Sequence, residues 1–323
     1  YAQGEWWVMS TDTPNLGRNV DSTPGARAVF SGGLNPALTA TQEYLNIASG
    51  GTAQSFGDLT YSGRRLTNGG FSDSTRGVIV GGFDGSNRLS NINKITFAST
   101  GSAASFGTLG AGRSSQAGFS NSTRGFACGG TIDPDTFNAD IFYFIIQSDG
   151  NGVDFGADIT EARDSPGSGA NSTRGLVVGG YNNTPSSLTN KKEIDVITIP
   201  TLGIVQDFGD LTETRRGSGV TTSPIRAVFA GGYTPSASDT IDYVTFASLG
   251  NATNFGNCTK TGGNFAGASD TVRGIFSGGY AGGGYSSVIE SINISTEGNA
   301  NDFADLSAAR ASHGAISNAH GGL

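Results

Sequence analysis

The chain has 323 residues, a formal charge of −8, 52 glycines and 9 prolines, with 14% charged and 9% aromatic residues. The glycines follow no three-residue period, which excludes collagen, and the low charge and many phenylalanines argue against disorder. No basic block supports nucleic-acid binding, and no apolar run reaches the length of a membrane span.

Glycine loses the most backbone entropy on folding, so this many glycines require repeated tight turns. The chain opens on Tyr1 without an initiator Met, which predicts a cleavage or a longer parent chain. An N-terminal segment with Trp6, Trp7 and Met9 leads into Leu16–Ser22, which reads as the first strand of the first repeat. The signature then begins: RAVFSGG at Arg27–Gly33, RGVIVGG at Arg76–Gly82, RGFACGG at Arg124–Gly130, RGLVVGG at Arg174–Gly180, RAVFAGG at Arg226–Gly232 and RGIFSGG at Arg273–Gly279. Successive arginines are 49, 48, 50, 52 and 47 residues apart, and a further 47 residues reach His320 in AHGGL. Self-similarity at this period marks a propeller or an array.

Each unit predicts four strands. The first precedes the signature, as in Gly69–Asp73, Ala117–Asn121 and Phe265–Ser269, and the second is the signature itself. The third alternates apolar and polar residues, as in Ile92–Phe97, Ile194–Ile199, Ile241–Phe246 and Ile289–Ile294, a period-two pattern that says β. The fourth opens on a phenylalanine, usually followed by Gly-x-Leu: Phe56, Phe106, Phe155, Phe208, Phe255 and Phe303. The expected fold is all-β, a single domain over 1–323. Its units lie near 27–75, 76–123, 124–173, 174–225, 226–272 and 273–319, with 1–26 and 320–323 as closing or peripheral segments.

The order of landmarks resembles the kelch repeat. The doublets Gly32/Gly33, Gly81/Gly82, Gly129/Gly130, Gly179/Gly180, Gly231/Gly232 and Gly278/Gly279 end a strand. Tyr44, Tyr143 and Tyr243 match the kelch tyrosine, whereas Lys94, Val196 and Ser291 depart from it. The six phenylalanines take the place of the kelch tryptophan. Arg113, Arg163, Arg215, Arg310 and approximately Arg64 match the later arginine, and Gly262 breaks that pattern in the fifth unit. The resemblance implies a kelch-like β-propeller. The expectation is seven four-stranded blades, the last closed by both termini with a strand near His313–Asn318 inside; six blades is the alternative. The wording STRG and FGDLT further resembles a subfamily of tailed-phage virion proteins, of marine phages especially. That implies a tail fibre, tail-associated adhesin or capsid decoration, extracellular and in a homo-oligomer or larger assembly with other virion proteins. A secreted kelch-type carbohydrate-binding module or carbohydrate-active enzyme is the alternative.

Side-chain roles follow from position. The ring Arg27, Arg76, Arg124, Arg174, Arg226 and Arg273 is expected to cap carbonyls between blades, with Asp58, Asp158, Asp210 and Asp305 as candidate partners. A positive ring facing the axial channel is the alternative. The phenylalanines are expected to pack between blades, and the doublets to allow close backbone approach. Segments of varying length follow each doublet, and such loops gather on one face and bind. Phe83, Tyr181, Tyr233 and Tyr280 open four of them and are the candidate binding residues, for a host-surface glycan or protein.

No catalytic set, cofactor or metal is expected. His313 and His320, the only histidines, form no metal set with Cys128 or Cys258, and no disulfide is expected to hold the chain together. No helix follows a doublet to make a phosphate loop, and no EF-hand loop is found. Acids such as Asp164 and Asp158 fall in loops, with no sequence reason for perturbed acidity. The copper enzymes with kelch-like propellers need tyrosines, histidines and a cysteine crosslink that cannot be placed here.

Overall fold

The computed structural model describes residues 25–61, 69–184, 187–281 and 283–323. Among them there is no helix, and the architecture is all-β and propeller-like. Six sheets each hold a run of four antiparallel strands. Sheet 1 runs Gly314–Ser317, Arg27–Ser31, Thr41–Asn46, Gln54–Asp58; sheet 2 runs Gly70–Ser72, Arg76–Val80, Asn91–Thr96, Ala104–Thr108. Sheet 3 runs Ala117–Ser120, Arg124–Cys128, Asp140–Ile145, Val153–Asp158; sheet 4 runs Gly167–Ala170, Arg174–Val178, Glu193–Thr198, Val205–Asp210. Sheet 5 runs Gly219–Thr222, Arg226–Thr234, Ser236–Thr245, Thr253–Gly263; sheet 6 runs Ala266–Ser269, Arg273–Ser277, Val288–Asn293, Asn301–Asp305.

The strand near His313–Asn318 was expected in a seventh blade. It pairs instead with the first signature, Ala28 opposite Ser317 and Ser31 opposite Gly314. It therefore occupies the place that Leu16–Ser22, which lie outside the described residues, were expected to fill. Asn318 completes the join, accepting from the Arg27 amide at 2.7 Å through its side chain.

The first strands are rich in Gly, Ala, Ser and Thr, and this composition lets them meet at a common axis. Each neighbours the next in sheet order, and Ala266–Ser269 in turn neighbours Gly314–Ser317. They line an axial space of only about 60 Å³. Hydroxyls bridge the gaps that sheet pairing leaves open. Ser120 donates to the Ser72 carbonyl (2.7 Å), Ser72 to Ser317 (2.7 Å), Ser317 to Ser269 (2.5 Å) and Ser269 to Thr222 (2.8 Å). Each satisfies a buried carbonyl that would otherwise cost about 1–3 kcal/mol.

The second strands are buried along their apolar lengths because neighbouring sheets cover both faces. The core falls into six clusters, each shared between consecutive sheets. Phe56 packs with Ile79, Ile95 and Phe97 of sheet 2, Phe208 with Ala227, Phe229 and Phe246 of sheet 5, and Ile275 and Leu306 of sheet 6 with Phe30 and Ile47 of sheet 1. Phe106, Phe155 and Phe255 do the same in their clusters, and Phe303 is the half-buried member of the last. Full burial of one such side chain is worth about 1.5–3 kcal/mol.

The glycine after this phenylalanine has a steric reason. Gly209 sits at φ +145°, and a Cβ there would lie 2.5 Å from the Gly250 carbonyl of the next sheet. That approach lets Gly250 donate to the Phe208 carbonyl (2.8 Å), while the Asn251 side chain accepts from the Asp210 amide (3.0 Å).

Candidate functional site

Two sets of arginines join the sheets, and neither faces the axial space. Nη1 of Arg27 donates to the Phe97 carbonyl (2.6 Å), Arg76 to Ile146 (3.1 Å), Arg124 to Ile199 (3.0 Å), Arg226 to Ile294 (3.4 Å) and Arg273 to Ile47 (2.7 Å). Arg174 donates likewise to Phe246. Every bond runs to the next sheet, and the last runs from sheet 6 to sheet 1. Three tyrosines lie beneath: Arg27, Arg124 and Arg226 stand 4.6, 5.6 and 4.4 Å from the ring centroids of Tyr44, Tyr143 and Tyr243. Asp58, Asp158, Asp210 and Asp305, the acids expected as partners, do not pair with this ring. Its one carboxylate bond among the described residues is Arg76 with Asp149, at 3.0 Å; Arg226 and Glu297 approach only to 3.8 Å. Asp210 pairs with Lys192 instead.

The second set is buried. Arg163 pairs with Asp195, Arg215 with Asp242 and Arg310 with Glu43, and each also caps carbonyls of the following sheet. A threonine or serine donates to each of the same carboxylates: Thr160, Thr212 and Ser307. In sheet 3 the acid's position is Phe142, so Arg113 stacks on that ring at 5.0 Å and takes Asp140.

The segments after the doublets form short hairpins or bridged turns at the same end of their sheets, among them Leu34–Leu38, Thr131–Phe137 and Tyr181–Asn190. Gly180 shows why the doublet is needed. It sits at φ +97°, where a Cβ would approach the Asp164 carbonyl to 2.8 Å, and its amide reaches the Arg215 carbonyl at 2.9 Å. The linker from the preceding sheet then pairs with the first hairpin residue, Asp164 with Tyr181 and Arg216 with Tyr233.

These hairpins surround a bowl of about 640 Å³. Of the four predicted aromatics, Phe83, Tyr181 and Tyr233 line it. Tyr280 does not; it is exposed, meets Tyr285 edge-on and donates to the Gly283 carbonyl. The bowl also holds Phe137, edge-on to Tyr181 at 5.2 Å, and the guanidiniums of Arg88 and Arg216. Its floor is a collar of linker residues at positive φ: Ser115, Ser165, Gly217, Asn264 and Ser312. Four of the amides donate to the preceding collar carbonyl, Ser165 to Ser115 (3.0 Å), Gly217 to Ser165 (3.0 Å), Asn264 to Gly217 (2.7 Å) and Ser312 to Asn264 (3.3 Å). Four of the five are not glycine, a strained arrangement that clusters at binding sites.

Asp164 lies buried beside this collar. Its carboxylate accepts from Thr131 and from Ser165 (2.5 Å), and Ser115 and Tyr181 also bond it. Burial pushes its pKa up against those bonds, contrary to the ordinary acidity expected of a loop residue. Burial likewise raises the Tyr233 phenol, aided by neighbouring Tyr280 and opposed by Arg216.

Sequence reading missed Phe137 and Arg216 and set Asp164 aside as a loop acid. The signal for Arg216 is the pair Arg215-Arg216, where other described linkers read Arg113-Ser114, Arg163-Asp164 and Arg310-Ala311. On the far side of the collar the C-terminal residues cross the axis: His320 bonds the Ser72 carbonyl (3.0 Å) and the Gly321 amide donates to Thr222 (3.2 Å).

No protein-family model matches the chain, and no curated protein matches it.

Proposed function

We propose that the chain is a six-bladed kelch-like propeller acting as a non-catalytic glycan-binding module of a phage virion, whether tail fibre, tail-associated protein or capsid decoration. Six blades are supported by three circuits that each return from sheet 6 to sheet 1: the first-strand contacts, the arginine-to-carbonyl bonds and the core clusters. The virion setting, and with it an extracellular location and an assembly with other virion chains, rests on the resemblance of STRG and FGDLT.

The observation that carries the binding reading is the bowl. Aromatic faces stack on the C–H faces of sugars, while the Asn264 side chain of the collar supplies a polar contact at the floor. The non-catalytic reading is supported by the state of the reactive side chains. Burial raises the thiols of Cys128 and Cys258, lowers His313 to about 3 and lowers His320, so none is tuned for nucleophilic or proton-transfer chemistry near neutral pH.

The test is a glycan array followed by titration calorimetry with Tyr181→Ala and Tyr233→Ala. Saccharide binding weakened at least tenfold by either change supports the reading. Capture of a protein ligand only, or saccharide binding indifferent to both changes, refutes it.

A further inference from the structure

Two cations line the bowl among the described residues, and they are in different states. Arg88 is already paired with two carboxylates, its Nη1 2.6 Å from Asp133 and its Nη2 2.5 Å from Asp135, in the turns of sheets 2 and 3. Arg216, in the linker between sheets 4 and 5, has no carboxylate and no guanidinium hydrogen bond among the described residues. Its guanidinium instead lies 4.5 Å from the Tyr181 ring centroid and 5.9 Å from that of Tyr233. Its backbone is fixed by reciprocal bonds with Tyr233, N–H to O at 3.3 Å and O to H–N at 2.9 Å. Two tyrosine faces and a paired backbone hold this side chain at the wall of an open cavity while its donors stay unused. Guanidinium is a planar fork that matches a carboxylate or sulfate through two parallel N–H bonds, and stacking removes much of the rotamer entropy that binding would otherwise cost. Asp164, the buried acid among the bowl's described lining residues, is taken up by its own hydroxyl donors.

We infer that the bowl recognises an anionic saccharide, whose carboxylate or sulfate is held by Arg216 while the sugar face rests on the adjoining tyrosines. This rests on the glycan-binding reading above and narrows it to a charge class. Arg88 at the opposite wall faces two carboxylates, Asp133 and Asp135, which leave that wall with a net negative charge, so the polarity also orients the saccharide, with its acidic group toward sheets 4 and 5.

The experiment titrates array hits into the wild type, Arg216→Gln and Arg216→Lys, comparing carboxylated saccharides with their carboxyl-reduced forms and sulfated saccharides with their desulfated forms. Acidic hits should lose at least tenfold on neutralisation of the acid and on Arg216→Gln, with affinity falling as salt rises. Arg216→Lys should recover only part of the loss, because a point charge cannot make the bidentate contact. Whichever neutralisation removes binding identifies the anion. Thermal unfolding of the variants near wild type separates lost recognition from lost folding. Neutral hits that need Tyr181 and Tyr233 but ignore Arg216→Gln overturn the inference and leave glycan binding standing; no saccharide bound at the bowl overturns both.

Discussion

Arg215→Met tests how the sheets are joined. Arg215 and Asp242 are both fully buried, and the guanidinium also donates to the Thr240 carbonyl at 2.7 Å. Removing it leaves Asp242 with Thr212 as its remaining partner, at a fully buried position. Breaking a buried pair from one side costs about 3–5 kcal/mol. With a urea m-value of about 3 kcal/mol/M, the unfolding midpoint should drop by about 1–1.7 M. The double change Arg215→Met/Asp242→Leu removes the orphaned charge and should recover most of the loss, leaving about 1–2 kcal/mol for the uncapped carbonyl and hydroxyl. The assay is urea unfolding of the four proteins of the cycle, followed by circular dichroism. A single-variant loss under about 1 kcal/mol, or a double variant less stable than Arg215→Met, refutes the reasoning. The chain contains its own comparison: at the junction of sheets 5 and 6, Gly262 replaces the arginine, while Glu290 stays buried and still accepts from Thr259.

Three further outcomes are expected. Deleting residues 314–323 removes the first strand of sheet 1 and should abolish cooperative unfolding, whereas deleting 319–323 removes only the axial contacts of His320 and Gly321 and should cost about 1–2 kcal/mol; equal transitions for the two truncations in a thermal melt contradict this. Gly209→Val places a Cβ against the Gly250 carbonyl at a φ that branched residues avoid and should cost at least about 3 kcal/mol in the same urea assay, while wild-type stability would show that the sheets have room to part. For His313, burial first and Arg310 second depress the folded pKa to about 3, so between that value and about 6.5 the unfolded chain binds the extra proton. Stability should therefore fall as pH drops through this window, by at most about 4–5 kcal/mol from this group, and His313→Gln should flatten that part of a pH series of urea midpoints.

Much of the fold was legible because its determinants are local. Alternation in Ile194–Ile199 makes a strand, the Gly179-Gly180 doublet ends one, and the period of about 49 residues repeats both. The candidate site was legible only in part. Tyr181 and Tyr233 could be singled out because they follow a doublet. Arg216 and Asp164 come from linkers, and nothing local tells a linker that its neighbour will be a hairpin some 17 residues on. Phe137 closes the sheet 3 hairpin and reaches the bowl only because its neighbour Tyr181 stands on the next sheet.

The sequence by itself determined the strands, their order within a sheet and the residues that cap or pack each one, since these depend on side-chain period and backbone sterics. Tertiary structure decided what joins across sheets. Arg27 caps a carbonyl of the neighbouring unit, as its position in the repeat led one to expect. That the acceptor is Phe97, and that none of the candidate aspartates joins it, depends on the rotation between neighbouring sheets, which sets the atoms within reach, not on distance along the chain. The same holds for the last strand. Gly314–Ser317 carries the small-residue pattern of a first strand, which says how it pairs but not with which sheet. Its place beside Arg27–Ser31 follows from the accumulated angle of the preceding sheets, a quantity that no single repeat encodes.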